Sequence, residues 1–384
     1  MLFLTNEMSK QTSFADMFEL YLHNLSILKH WTFIVATAEP DNMDLYAGME
    51  HLAGIKERLF TPFNNGRVSI INQKILKRCW FKRDSRVRMY RCVSFDTQTV
   101  SYVEQYFKNG TVPYEGFDDV IHLLKSYGFG IDYIPYSMEN LMFECSQEES
   151  VAQTLFAYEM LCGENSGNAR LCRKHAKDII SMYAKKGFEV PFHAKELFNM
   201  IYLSLLKMSE IQLTHSKWPL EKKMNALLEF INNEACRMMQ PELNLAKLYF
   251  TDGNAHGFFG KIHSASKNIL EQLKNMAWDL MHLRFMDYSC TMFNTKKGDV
   301  LIPYFFTYDR RLQHIRSCYS LKTLAINTRS HAVIPIYSFD SGVLDLVKNH
   351  CTFEKHQERM SKTVDFNQLI ATYEQRLLRL VNSE

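Results

Sequence analysis

The sequence predicts an α/β protein: a parallel sheet flanked by helices, with a large helical insertion between its two halves and an extension at the N-terminus. Three observations carry that expectation. Two strand-like runs, 87–95 and 300–308, each lead to an aspartate and pass directly into a helical pattern. Between them, 148–250 reads as one amphipathic helix after another. The composition is globular, with 46% hydrophobic and 23% charged residues in a chain of 384, enough for one large domain or two moderate ones.

Taken in order, 14–30 carries apolar side chains at helical spacing and 43–58 repeats the pattern more weakly, until Asn64, Asn65 and Gly66 break it. Gly66–Arg91 then gathers nine basic residues against one acid, Asp84, a local balance of +8 in a chain whose whole balance is +3. This strip reads as a phosphate-contacting surface, with Lys77, Arg78, Lys82 and Arg83 as contacts and Trp80, Phe81 and Tyr90 interleaved for stacking; a solvated basic face is the alternative. Because it precedes the strand leading to Asp96, it is expected near the mouth of a site there.

The strand Val87–Phe95 is followed by Asp96 and the helical run TQTVSYVEQYF, then by a helix over 116–127. Past Gly128 and Gly130, Pro135 and Ser137 signal a helix start with Glu139 in its first turn. After the helical block, 264–288 forms one long helix on which Asp279 stands among Ala277, Trp278, Leu280 and Met281. The aromatic strand ending at Tyr308 leads through Asp309 into a basic helix with Arg310, Arg311 and Arg316; HAVIPIYSFDSG is another buried strand, and 354–382 a terminal helix. The segments are therefore an N-terminal helical and basic extension (1–86), a first core half (87–149), a helical insertion (150–263), and a second core half with the C-terminal helix (264–384).

Nine scattered cysteines without a CxxC pair argue against a disulfide framework or zinc knuckle and for a reducing interior. The longest apolar runs, such as Trp31–Ala38 and Leu197–Leu206, fall short of the roughly 18–20 residues that span a bilayer, and the N-terminus lacks a basic n-region. A cytoplasmic protein with no membrane segment is expected. GxxxxGK[ST], GxGxxG and GxSxG are absent from the sequence, so nucleotide binding and serine hydrolysis have no support.

Asp96 and Asp309 occupy the same kind of place. In an open parallel sheet the ligand crevice lies outside the carboxyl ends of the strands, so both carboxylates are expected to face it. Asp is also a common N-cap at such junctions. Glu139 and Asp279 are candidates to complete the cluster. In this order the four settings resemble the PIN-like metal-dependent ribonucleases: VSFDTQTVSYVEQYF is similar to the first motif, IDYIPYSMEN to the second, AWDLMHLRFMD to the third and YFFTYDRRL to the fourth. The match covers about 87–145 and 265–340.

The resemblance implies a nuclease acting on RNA rather than DNA, single-stranded or structured, with Mg²⁺ or Mn²⁺ as cofactor. It implies Asp96 and Asp309 as primary metal ligands, with Glu139 and Asp279 holding a second ion or water. Thr97 and Thr307 would orient carboxylates, and Arg310 and Arg311 would grip phosphate. The chemistry agrees, because phosphodiester hydrolysis needs charge neutralisation and a hydroxide near pH 7, which hard cations on carboxylates supply. The long segment after the second motif leaves Glu144 and Glu159 as alternatives to Glu139. Two further readings stand beside this one. Arg170 and His175 have the Arg-x4-His spacing of the HEPN ribonucleases, which are helical and metal-independent. A non-enzymatic protein with a degenerate core would instead meet a protein partner through the helical insertion or the N-terminal extension. Asp252, His256 and His263 read as a loop before they read as metal ligands.

Overall fold

The computed structural model describes the chain except residues 39–42, 48, 50–54, 56, 64–65, 83–85, 113, 115, 144–147, 164, 186–192, 291–298, 351 and 383–384. Arg83 and Glu144 thus lie outside the described residues. The chain forms two compact units. The first takes Met1–Val190, His282–Tyr308 and Leu321–Ile336; the second takes Pro191–Met281, Asp309–Ser320 and Tyr337–Glu384.

Nine strands are described: β1 (Trp31–Ala36), β2 (Met43–Asp44), β3 (Leu59–Phe60), β4 (Arg67–Ile71), β5 (Met89–Phe95), β6 (Gly130–Asp132), β7 (Val300–Phe306), β8 (Leu321–Asn327) and β9 (Val333–Tyr337). One sheet has the order β3-β7-β5-β6. Its β7 is buried at every position, as a strand covered on both faces must be. β5 lies parallel to β7 in register from Met89↔Val300 to Phe95↔Phe306, so the two sequence halves meet side by side as the paired strand-to-helix junctions suggest. β6 is also parallel to β5, whereas β3 runs antiparallel against Phe305 and Phe306. The sheet is therefore mixed. Pro303, which has no N–H for a ladder, stands upstream of the two residues that pair with β3. Gly130 admits close approach: a Cβ there would stand 1.9 Å from the Tyr90 hydroxyl.

A second sheet, of order β2-β4-β1-β8-β9, is antiparallel where β1 meets β4 and β8 and where β2 meets β4. It corrects the sequence reading at four points. The N-terminal segment is not purely helical, since after helices Leu2–Met8 and Phe14–His23 it supplies β1, β2, β3 and β4. The weak helix expected over 43–58 opens instead as β2. The strand in HAVIPIYSFDSG is β9, half-buried at the margin of this sheet rather than in the sheet of β5. β8, which the sequence did not announce, lies beside β1. Six-residue apolar runs such as WTFIVA do not by periodicity distinguish a buried strand from a helix, and here the β-branched and aromatic content decides. Under this sheet Met8, Met17, Tyr21, Leu28, Phe33 and Val35 form a core, with the Tyr21 hydroxyl donating to the carbonyls of Leu28 and Trp31.

Helices Thr97–Asn109, Phe117–Ser126, Ile134–Leu141, Glu148–Cys162 and Ala169–Ala184 complete the first unit. Thr97–Asn109 closes on Gly110 at φ 70°, the left-handed conformation that glycine adopts without strain. The second unit is built around helices, the longest wholly within it being Ala194–Thr214, packed along the terminal helix Phe366–Asn382. The expected terminal helix is in fact two, Phe353–Met360 and Phe366–Asn382. Among the described residues no helix is long and apolar enough to cross a membrane.

Candidate active site

Asp96 follows the last residue of β5 and caps a helix, and both facts fix its side chain. Its Oδ1 accepts the Thr99 N–H at 2.6 Å, capping helix Thr97–Asn109, and its Oδ2 accepts the hydroxyl of Thr307, the residue after β7. The capping role that the sequence offered as the plain alternative is therefore real, but it occupies one oxygen only. Asp96 is 4% exposed. Burial pushes its carboxyl above the usual carboxylate range, against the hydrogen bonds from Thr307 and Thr99.

The next residue, Thr97, donates its hydroxyl to Oε2 of Glu139. Glu139 is the sixth residue of helix Ile134–Leu141, so it stands beyond the first turn expected for it. Burial raises its pKa too, opposed by the Thr97 hydrogen bond. Its side chain is 24% exposed, which makes it the member of the pair that meets solvent.

His282 is the residue sequence reasoning passed over. It lies three positions past Asp279 on helix Ile269–Ser289, in an apolar run where a histidine gives no signal of its own. Its Nε2 is 3.4 Å from Glu139 Oε2, its ring packs 6.0 Å from that of Phe305, and the charge of Asp96 acts on it. Burial dominates and holds its pKa down at about 4, so the imidazole is neutral near pH 7. Both ring nitrogens are buried without a hydrogen bond of ordinary geometry.

A third strand-end acid was also missed. Asp132 closes β6, accepts the Ser94 hydroxyl at 3.0 Å and caps Ile134 N–H at 2.8 Å. Burial pushes its pKa up to about 6. β6 is only three residues long, too short to read as a strand from sequence.

Asp309 and Asp279 belong to the second unit. Asp309 caps helix Arg310–Ile315 through the Arg311 N–H and is gripped by the Arg311 guanidinium, with Nε at 3.0 and 3.1 Å and Nη2 at 2.5 Å. Burial would raise the Asp309 pKa; its bonds to Arg311 outweigh this and hold it below the usual range. Asp279 is half-buried beside Trp278, and its charge acts on Arg311. A metal-ligand role for Asp309 and a phosphate-gripping role for Arg311 both require this pair to open.

The basic strip divides into two kinds of residue. Lys74 Nζ (2.6 Å), Arg78 Nη1 (2.9 Å) and Arg88 Nη2 (3.5 Å) converge on the buried carboxylate of Asp299, which also accepts the Arg88 N–H. Burial would raise the Asp299 pKa; the bonds from Lys74, the Arg88 N–H and Arg78 outweigh it and hold it far below the carboxylate range. Arg78 is thus a structural clamp as well as a cation. Lys77 and Lys82 are exposed. Since Arg88 and Asp299 precede β5 and β7, the clamp fixes helix Gln73–Lys82 at the amino ends of those strands, while Asp96 and Thr307 stand at the carboxyl ends. Adjacency in sequence misled here: seven residues of β5 put about 20 Å between the two.

The remaining candidates are locally engaged. His175 Nδ1 lies 3.2 Å from Glu159 Oε1, and its Nε2 is 2.8 Å from the Tyr133 hydroxyl; Glu159, the alternative to Glu139, also accepts Asn165 Nδ2. Asp252 Oδ1 accepts the N–H groups of Asn254 and Ala255 and closes the loop, while the His256 ring meets His314 at 5.9 Å.

Among the described residues no group of three or more His, Cys, Asp or Glu side chains is arranged to hold a metal ion. A Mg²⁺-type ion is commonly held by only one or two carboxylates and keeps several waters, and buried, desolvated Asp96 and Glu139 fit that donor set. Compared with known proteins, the chain matches no family model, no curated protein and no solved structure.

Proposed function

We propose that the chain is a metal-dependent nuclease with a PIN-like core, hydrolysing phosphodiester bonds of RNA with Mg²⁺ or Mn²⁺ held at Asp96 and Glu139. One observation carries this reading. A buried carboxylate, Asp96, stands at the carboxyl end of the parallel pair β5/β7 and a half-buried one, Glu139, hydrogen-bonds the residue after it; each is held by a threonine hydroxyl, and among the described residues neither has a lysine or arginine partner. Buried carboxylates cost several kcal/mol unless compensated, so this is where a cation belongs.

A divalent ion bound there supplies charge neutralisation at phosphate and a more acidic bound water. The chain's own residues do the rest. Thr307 and Thr97 fix the rotamers of Asp96 and Glu139, leaving Asp96 Oδ2 and Glu139 Oε1 with lone pairs to offer. Neutral His282 fills the space behind Glu139 without contributing a competing charge. Because both carboxylates are raised, protons compete with the ion and its affinity falls as the pH is lowered.

Mn²⁺ binding, read by the loss of its free electron-spin signal, tests the reading: one ion per chain is expected, with at least tenfold weaker binding in Asp96→Asn and Glu139→Gln. Equal binding in both variants would refute it. A non-enzymatic binding protein is the second reading, favoured by the Asp309–Arg311 pair, which satisfies the fourth motif position internally.

A further inference from the structure

We infer that the outer face of helix Gln73–Lys82 is an exosite for single-stranded nucleic acid, distinct from the carboxylate site and about 20 Å along the sheet from it. The inference rests on the nuclease reading for the class of ligand.

The helix, QKILKRCWFK, carries four cations and no acid. Its inner face buries Ile75 and Leu76. Projected at 100° per residue, the arc away from Ile75 and Leu76 runs through Trp80, Lys77, Phe81, Lys74, Arg78 and Lys82. Trp80 is 61% and Phe81 78% exposed, an unusual state for two large aromatic side chains in succession. The Trp80 indole is set in orientation by Phe18, whose ring lies 6.3 Å away and within 3° of parallel. Lys74 and Arg78, tied to Asp299, fix the helix to the first unit's sheet while keeping positive charge along its flank.

Exposed planar rings interleaved with ammonium groups match a polymer of stacked bases and phosphates. An anionic membrane fits less well, because the helix's apolar stripe already faces the protein interior and the outer arc offers two rings among cations instead of a continuous apolar face. The distance to Asp96 means that only a strand of several nucleotides reaches both places.

The test uses the full chain carrying Asp96→Asn, in EDTA, so that binding is read without cleavage. The probe is a labelled oligouridylate of about 20 nucleotides, longer than the roughly 4–16 that single-strand binding folds cover. Lys77→Ala with Lys82→Ala should weaken binding and flatten the slope of log affinity against log salt by about 1.4, at roughly 0.7 per phosphate contact. Trp80→Ala with Phe81→Ala should weaken it about 5- to 100-fold with the salt slope retained, as loss of base stacking predicts. Thermal melts should be unchanged in the lysine variant and in Phe81→Ala alone, which leaves the Phe18–Trp80 stack intact and should give a smaller loss of affinity of the same kind. Unchanged oligonucleotide affinity in the double variants overturns the exosite, as does binding of phosphatidylserine vesicles with no binding of the oligonucleotide. The two readings fail separately: Mn²⁺ binding that is unchanged in Asp96→Asn and Glu139→Gln, with the exosite effects intact, removes only the nuclease, and the expected Mn²⁺ losses with oligonucleotide affinity unchanged in the helix variants remove only the exosite.

Discussion

Thr307, the first residue past β7, donates its hydroxyl to the carboxylate of Asp96, the first residue past β5, and so ties together two strand ends that lie 211 positions apart in sequence. The bond joins two buried groups, so removing it leaves a charged oxygen unsatisfied. Thr307→Val should destabilise the protein by about 1–3 kcal/mol and raise the Asp96 pKa further, while Thr307→Ser should recover most of the loss. Urea unfolding midpoints of the three proteins check this. Equal midpoints for Val and Ser would show that the bond contributes nothing.

Asp96→Asn and Asp96→Ala separate the structural role of this residue from the chemical one. Asn keeps an oxygen for the Thr99 N–H, so its cost should be small, whereas Ala loses the cap and should cost about 1–2 kcal/mol. Both should abolish metal-dependent cleavage. A stable Asn variant that cleaves normally would reduce Asp96 to a helix cap.

In the sheet that carries Asp96, β5 and β7 were readable because both are seven residues long, rich in aromatic side chains and soon followed by a capping aspartate, a pattern that survives without knowledge of the partner strand; β3 and β6, at two and three residues, were not. The antiparallel sheet was not, since β2 is two residues long and β1 reads equally as a short buried helix. Within the site, Asp96, Thr97, Glu139 and Thr307 were legible from their settings next to strand ends and helix starts. His282 was not, because its role comes from what Ile269–Ser289 packs against, and periodicity shows only that the stretch is apolar. The fate of the basic strip was hidden for the same reason: Asp299, its anchor, lies over two hundred residues away.

Two buried groups should give opposite pH dependences of stability. His282 has a folded pKa of about 4, below its unfolded value near 6.5, so the unfolded chain takes up a proton that the fold refuses, and stability falls as pH drops through that window. Asp132 is raised to about 6 from an unfolded value near 3.9; its contribution is present below that value and is lost as pH rises through 6. Asp132→Asn should therefore gain on the parent as pH goes from about 4 to 6 and then level off. A constant difference across a urea series at pH 4, 5, 6 and 7 would contradict burial as the cause.

Asp299→Asn should cost about 1–3 kcal/mol at neutral pH, since it removes the centre of a clamp whose cations keep partial access to water. The Asp299 pKa is depressed, so its contribution is full above the unfolded value and is lost as pH falls through the folded one. The gap between variant and parent should shrink on acidification below about pH 3.9, as thermal melts at pH 7, 4 and 3 would show.

The most direct measurement is cleavage of a labelled single-stranded RNA by the purified chain with and without divalent metal. The account expects cleavage with Mg²⁺ or Mn²⁺, arrest by EDTA, recovery on adding the ion back, and at least a hundredfold loss in Asp96→Asn and Glu139→Gln with His175→Ala near the parent. Full activity in EDTA that disappears in His175→Ala would contradict the carboxylate mechanism and transfer the chemistry to the Glu159–His175–Tyr133 array.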